Sequence, residues 1–145
     1  MEALAFPAYE FRFKSTKNGQ AIFDPIRKKF VALTPEEWVR QHVLHWLLEA
    51  IAVPAIRIRV EASLQLQGMN RRADIAIYAP DGRMWMVVEC KAPQVPVTEK
   101  VFDQAARYNQ IFQAPYLMVT NGRAHYFCQF TPQGYQFMPQ IPPLP

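Results

Sequence analysis

Apolar residues recur along this chain at two spacings, one typical of helices and one typical of strands. From residue 35 to about residue 51 they follow the three-and-four spacing of an amphipathic helix. From 57 to 66 they alternate with polar residues, as in a half-buried strand. The side chains predicted to point inward are Val39, Val43, Trp46, Leu47 and Ala50 in the helix, and Ile58, Val60, Ala62, Leu64 and Leu66 in the strand.

The residues before the helix have the pattern of a small β arm. Two apolar stretches, 9–14 and 20–23, flank Lys17-Asn18-Gly19, and an Asn-Gly pair between apolar runs predicts a hairpin. A further extended piece is predicted at 30–33. We therefore assign residues 1–33 to an N-terminal β arm.

The residues after the first strand complete an α/β pattern. Apolar runs bounded by turn residues predict strands at 72–78, 85–90, 116–120, 124–130 and 133–138. Between the second and third of these, Thr98 can cap a helix that Ala114-Pro115 stops. The order predicts a central mixed β-sheet flanked by helices. With 145 residues, half of them hydrophobic, we expect one domain over 1–145, with its core at 34–130 and an irregular Pro-rich tail at 139–145.

Three charged residues stand out on the two strands that an Asp81-Gly82 turn connects. Asp74 lies in Arg72-Ala-Asp-Ile-Ala-Ile-Tyr, and Glu89 and Lys91 end the run Met86-Val-Val-Glu-Cys-Lys91. Because side chains alternate along a strand, Glu89 and Lys91 share one face. Charges at the end of a buried strand are costly unless they are paired or coordinate a metal ion.

The charged trio fits a metal-dependent hydrolytic site. Asp74 and Glu89, helped by the backbone carbonyl of Cys90, could hold a divalent cation that polarises a phosphate and acidifies a water. Lys91 could orient or deprotonate that water, or stabilise the charge on the phosphate, and an apolar pocket with a metal should lower its pKa. The alternative is an ordinary ion-pair cluster at a strand end.

An ordered series of motifs resembles the PD-(D/E)xK nuclease superfamily, and within it the N-terminal nuclease domain of type I restriction enzyme motor subunits. The series spans about 23–127 and comprises Phe23-Asp-Pro-Ile-Arg-Lys-Lys-Phe-Val-Ala-Leu-Thr-Pro-Glu-Glu-Trp-Val-Arg-Gln, Arg72-Ala-Asp-Ile-Ala-Ile-Tyr, Val88-Glu-Cys-Lys-Ala-Pro, Gln104-Ala-Ala-Arg-Tyr-Asn and Thr120-Asn-Gly. By this resemblance Asp74 and Glu89 match the metal-binding acids, and Lys91 matches the lysine. Ala73 stands where the motif has proline.

The resemblance implies a restriction-endonuclease-like core and an Mg²⁺- or Mn²⁺-dependent DNA endonuclease acting in restriction, defence or repair. In the relatives this domain is joined to a helicase, whereas this sequence has no Gly-x-x-x-x-Gly-Lys-Ser/Thr phosphate loop. Targeting is therefore expected from its own surface, from a homodimer or from a helicase or specificity partner in trans. The alternatives are a non-catalytic nucleic-acid-binding module and a protein-interaction domain that keeps the nuclease fold.

Two helices are expected to add polar groups to the site. The resemblance predicts an acid on the first helix, Glu36 or Glu37, and of the two we assign Glu37 to the surroundings of the site, although Thr34 and Glu37 also have the spacing of a capping box. On the second helix, Gln104 and Tyr108 match the family's Gln-x-x-x-Tyr element and share one helical side. They could contact the DNA backbone or brace the lysine, and the alternative is a solvated helix face.

Charge gives modest support for an anionic partner. The chain has 16 Lys and Arg against 12 Asp and Glu, a net charge of +4. Cations that could contact phosphates are Arg27, Lys28, Lys29, Arg71, Arg72, Lys100 and Arg107. The alternative is a solubilising surface.

No apolar run reaches the roughly 20 residues of a membrane helix, and no signal peptide is recognisable, so we expect a cytoplasmic protein. Cys90 and Cys128 lie in apolar segments and are expected to be buried, reduced thiols.

Overall fold

The protein, described by a computed structural model, contains two separate β-sheets and two α-helices. The structure describes residues 1–145, apart from the side chain of Leu66. Its elements are β1 (Phe13–Thr16), β2 (Gly19–Asp24), β3 (Lys29–Ala32), α1 (Pro35–Glu49), β4 (Ile58–Leu66), β5 (Met69–Tyr78), β6 (Met84–Cys90), α2 (Glu99–Asn109), β7 (Tyr116–Thr120), β8 (His125–Thr131) and β9 (Gly134–Met138), with short 3₁₀ helices at Ala55–Arg57 and Gln110–Phe112.

The N-terminal sheet is antiparallel, in the order β1-β2-β3. Thr16 pairs with Gly19, so Lys17 and Asn18 form the two-residue turn of the predicted hairpin. Gly19 has φ +116°, a backbone conformation that favours glycine. The β arm is confirmed, but its first strand begins at Phe13 and not at residue 9. The preceding residues pack on α1 instead, with the Phe11 and His42 ring centroids 4.8 Å apart.

The central sheet has six strands in the order β4-β5-β6-β7-β8-β9. Neighbours are antiparallel except β6 and β7, which are parallel and connected through α2. The sheet is therefore mixed, and the predicted α/β class is confirmed. The hairpin of β5 and β6 and the edge strand β9 also lie where the sequence predicted them.

The two helices pack against different apolar clusters of the sheet. Met86 and Val88 belong to the cluster that contains Val39 and Val43 of α1. Val87, between them on β6, belongs to the cluster that contains residues of α2. This alternation follows from the period of two along a strand, and it places helices on opposite faces of the sheet.

Helix α1 is more deeply enclosed than its apolar pattern predicted. Val39, Val43 and Leu47 are buried as expected and Trp46 is half-buried. The prediction for Ala50 is wrong, because the helix ends at Glu49 and Ala50 is its exposed C-cap. The other side of the helix is covered too: its buried polar residues are Glu37, Arg40, Gln41 and His42.

The predicted starts of both helices agree with the capping contacts, whereas α2 ends at Asn109, before the predicted stop at Ala114-Pro115. Thr34 Oγ1 accepts a hydrogen bond from the Glu37 N–H, and Thr98 Oγ1 accepts one from the Val101 N–H. In β4, Ile58, Val60 and Ala62 are buried and Leu64 is half-buried, while the prediction for the Leu66 side chain lies outside the described residues. Residues 139–145 form neither helix nor strand.

No helix in the described part of the chain is long and apolar enough to cross a membrane. Both cysteines are free and buried.

Candidate active site

An open cleft of about 390 Å³ collects most of the side chains that the sequence singled out. Strands β5 and β6 and helices α1 and α2 all contribute to it. Its polar lining includes Glu36, Asp74, Glu89, Lys91, Gln104 and Tyr108. Residues far apart in sequence therefore meet at one place.

Asp74 is held at the cleft by the neighbouring strand. The Cys90 N–H donates a 2.7 Å hydrogen bond to Asp74 Oδ2. Burial raises the pKa of Asp74 to about 6, against the opposing effects of the Cys90 hydrogen bond and the Arg40 charge. The carboxylates of Glu36 and Glu89 raise it further. The Cys90 hydrogen bond and the Arg40 charge therefore do not offset the cost of burying the Asp74 charge.

Glu89 is fixed through both of its carboxylate oxygens. Asn109 Nδ2 donates to Oε1 at 2.8 Å, and Lys91 Nζ lies 3.0 Å from Oε2. Burial alone would lower the pKa of Lys91, but the hydrogen bond to Glu89 and the nearby acids outweigh it, so that pKa is raised. The expected lowering of the Lys91 pKa assumed a bound metal ion beside these acids, and it stays a prediction.

Asn109 is a site residue that the sequence reasoning missed. It is 1% exposed, and Nδ2 also donates a 2.8 Å hydrogen bond to the Ala105 carbonyl. These two bonds use both amide hydrogens and orient the group toward Glu89. A signal was present, because Asn109 directly follows Tyr108 in the quoted Gln104-Ala-Ala-Arg-Tyr-Asn motif.

Gln104 and Tyr108 both line the cleft, as their shared helical side predicted. The Tyr108 hydroxyl accepts a 3.1 Å hydrogen bond from the Arg72 N–H and lies 3.4 Å from the Arg72 carbonyl. Tyr108 therefore braces β5 two residues before Asp74, while Lys91 contacts Glu89 instead. The Arg71 guanidinium lies 5.1 Å from the centroid of the Tyr108 ring.

The two acids at the start of α1 have different surroundings. Glu36 lines the cleft. The Glu37 carboxylate instead accepts hydrogen bonds from Arg27 at 3.1 Å, Arg40 at 2.8 Å and Gln41 at 3.0 Å. Its side chain thus points into an ion-pair network, and only its backbone N–H takes part in capping.

Burial would raise the pKa of Glu37. The hydrogen bonds from Arg40 and Gln41 and the positive charges of Arg40 and Arg27 outweigh that effect, so the pKa is lowered. Glu37 is therefore a balanced buried charge.

Arg40, which the sequence reasoning also missed, connects this network to the cleft. Besides Glu37, its guanidinium lies 3.6 Å from a Glu61 oxygen and 3.9 Å from Asp74 Oδ1. The Arg40 side chain is only 10% exposed. Glu61 has φ +55° in the middle of β4, which is uncommon for a residue with a side chain and marks a locally strained strand. The spacing of Glu37 and Arg40 on one helix was the available signal.

The predicted phosphate-contacting cations fall into two groups. Arg27 is bound to Asp24 at 2.8 Å and to Glu37, so it serves the internal network. Arg107 pairs with Asp103 at 3.1 Å on the same helix. Arg72 lines the cleft and lies 3.9 Å from Glu61. The second group comprises Lys28, Lys29 and Lys100, which are exposed, and Arg71, which is half-buried.

The donor set of the cleft suits a hard divalent cation. Among the described residues no group of three or more His, Cys, Asp or Glu side chains forms a metal site. Asp74 and Glu89 offer carboxylate oxygens to the cleft, and Cys90, whose backbone carbonyl the sequence singled out, also lines it. Mg²⁺ prefers oxygen ligands and usually keeps several waters, so one or two protein carboxylates are enough for it.

Comparison with known proteins gives a family. The family described as "Type I restriction enzyme R protein N terminus (HSDR_N)" matches residues 35–142. No curated protein and no solved structure matches the chain. The matched residues include all the elements that form the cleft and leave out the N-terminal sheet. The chain therefore belongs to the family of type I restriction enzyme R protein N termini.

Proposed function

We propose that this protein is a Mg²⁺-dependent DNA endonuclease of a restriction or defence system. Its family supports a restriction-related role. The observation that carries the proposal is one cleft lined by Asp74, Glu89 and Lys91, in which each acid is held by a defined hydrogen bond.

In this proposal Asp74, Glu89 and the Cys90 carbonyl would hold Mg²⁺ or Mn²⁺. The bound ion would supply a Lewis acid that polarises a phosphodiester and acidifies a water. Lys91 would place an ammonium group beside the phosphate, where negative charge develops during hydrolysis, or orient the attacking water. Glu36 would add a further carboxylate at the mouth of the same cleft.

Three residues would act by positioning others. Asn109 fixes the Glu89 carboxylate, and Tyr108 fixes the β5 backbone next to Asp74. Arg40 holds a positive charge near Asp74 while it remains bound to Glu37. Such outer contacts orient metal ligands and set their charge balance.

The proposed partners are DNA and other subunits of a restriction enzyme. One cleft per protomer would cut one strand at a time, so cutting both strands would need two protomers or two events. A homodimer or a helicase or specificity subunit in trans would meet that need.

The proposal is tested by incubating supercoiled, linear and single-stranded DNA with Mg²⁺ or Mn²⁺. We expect metal-dependent products from the wild type and none from Asp74→Ala, because the metal loses a ligand. Asp81→Ala, which removes an exposed acid from the β5–β6 turn, is the matched control and should cut like the wild type. Equal cleavage by Asp74→Ala, or no cleavage by the wild type on any substrate, would contradict the proposal.

A further inference from the structure

The positive charge of the protein is concentrated in its N-terminal sheet. Residues 12–32 contain six Lys and Arg and one acid, a net charge of +5. Because the whole chain carries +4, all the other residues together carry −1. The one acid, Asp24, is fully buried and bound to Arg27. The exposed charge of this sheet is therefore entirely positive.

Two of these cations lie over aromatic rings on one face of the sheet. The Arg12 guanidinium is 4.4 Å from the centroid of Phe23, and Lys14 Nζ is 5.6 Å from that of Phe30. Both cations are exposed, and both rings are partly buried. A ring beneath a cation limits its side-chain freedom, so less entropy is lost when the cation binds a ligand.

The cations of this sheet differ in whether an acid of the protein binds them. In the described part of the chain, Arg12, Lys14, Lys28 and Lys29 form no salt bridge, whereas Arg27 is bound to Asp24 and Glu37. Their charge is therefore available to an anionic partner.

Most of these cations lie at one end of the N-terminal sheet, and that end contacts residues next to the cleft. The Arg12 carbonyl accepts a hydrogen bond from the Phe23 N–H, next to the turn that contains Lys28. In the same turn, Arg27 lies 3.8 Å from Glu61. Glu61 also contacts Arg72, which lines the cleft. A chain of contacts thus connects the cationic end of the sheet with the candidate active site.

We propose that the N-terminal sheet binds the sugar-phosphate backbone of duplex DNA through Arg12, Lys14, Lys28 and Lys29, and so holds the duplex beside the cleft. The inference rests on the proposed nuclease function for the identity of the ligand. Because cations occupy a face of Phe23 and Phe30 and both rings are partly buried, we expect the contact to be to phosphates, without sequence preference, and not to stacked bases. The sheet lies outside the family match at 35–142.

The test measures affinity for a short labelled duplex in EDTA, so that neither metal nor cleavage contributes. Arg12→Gln/Lys14→Gln is compared with Arg59→Gln/Arg83→Gln, which removes the same charge near the β5–β6 turn. The control also removes one cation from a ring, because Arg59 lies 5.7 Å from the centroid of Tyr78. Circular dichroism melting shows whether each variant folds. Lys28→Gln/Lys29→Gln tests the turn without changing the cations that stack on rings.

We expect the Arg12/Lys14 variant to bind on the order of tenfold more weakly at low salt, and its slope of log affinity against log salt to fall by about two, one per lost phosphate contact. The Arg59/Arg83 control should keep the wild-type slope. No duplex binding by the wild type, or equal losses in both pairs, would overturn the inference.

The two proposals fail separately. If the wild type cuts DNA and the Arg12/Lys14 variant keeps full affinity and salt slope, the nuclease proposal stands and the proposed sheet contact is wrong. If the variant loses affinity as expected but the wild type never cuts DNA, the sheet contact stands and the nuclease proposal is wrong.

Discussion

Two clusters of charged side chains lie on either side of Arg40, and they differ in how completely their charges are balanced. Around Glu37, two arginines and Gln41 donate to one carboxylate, and its pKa is lowered. Around Asp74, the cleft collects several carboxylates, and the Asp74 pKa is raised to about 6. The first arrangement is complete within the protein, whereas the second favours the addition of positive charge. Buried charge in the same region can thus serve either stability or binding, and charge balance distinguishes the two.

The largest expected effect comes from breaking the balanced cluster. Glu37→Ala would leave Arg40 buried with its nearest partner removed, and breaking a buried pair typically costs about 3–5 kcal/mol. We expect a loss of that order in the free energy of unfolding, measured by urea denaturation. Glu49→Ala removes an acid from the exposed part of the same helix and should cost less than about 1 kcal/mol. Similar losses in both variants would show that the network does not stabilise the fold.

A second variant tests the cleft. Asn109→Ala should weaken Mn²⁺ binding about 10–100-fold, because Glu89 loses the group that orients it. The loss of both Asn109 hydrogen bonds should lower the free energy of unfolding by about 1–3 kcal/mol, less than in Glu37→Ala. Calorimetric Mn²⁺ titration and urea denaturation measure the two quantities. Asn70→Ala, at an exposed position, is the control. If Asn109→Ala loses Mn²⁺ affinity only under conditions in which the variant is partly unfolded, a positioning role for Asn109 is contradicted.

The smallest expected effect is on the pH dependence of stability. Because the pKa of Glu37 is lowered in the folded protein, its contribution is fully present above the unfolded pKa of about 4.3 and is lost as the pH falls through the folded value. Glu37→Gln should therefore reduce the acid destabilisation between neutral pH and about pH 3. Unfolding free energies of both proteins across that range provide the measurement, and an unchanged acid slope would contradict the assignment.

Local patterns predicted much of this molecule. The alternation of β4, the Asp81-Gly82 turn and the Thr98 cap depend on neighbours in sequence, and all three are confirmed. The period of two along β6 also placed Glu89 and Lys91 together, and their side chains form an ion pair.

The features that the sequence did not reveal depend on contacts between distant elements. Arg27 reads as a surface cation until its contact with Glu37, ten residues away, is known. Asn109 reads as an ordinary helical residue until its bond to Glu89, twenty residues away, is seen. The raised pKa of Lys91 likewise depends on the surrounding acids more than on its apolar strand.

The single parallel pairing of the central sheet has a consequence for folding kinetics. Met86 on β6 pairs with Tyr116 on β7, thirty residues later, and the crossover between them contains α2. Such a pairing requires closure of a long loop, which forms more slowly than a hairpin. Asn109 lies on that crossover, so it can reach Glu89 only once the loop has closed. The cleft is therefore expected to assemble late, after the β4–β5–β6 meander. During synthesis, the acids of the cleft would be present before Asn109 could fix Glu89.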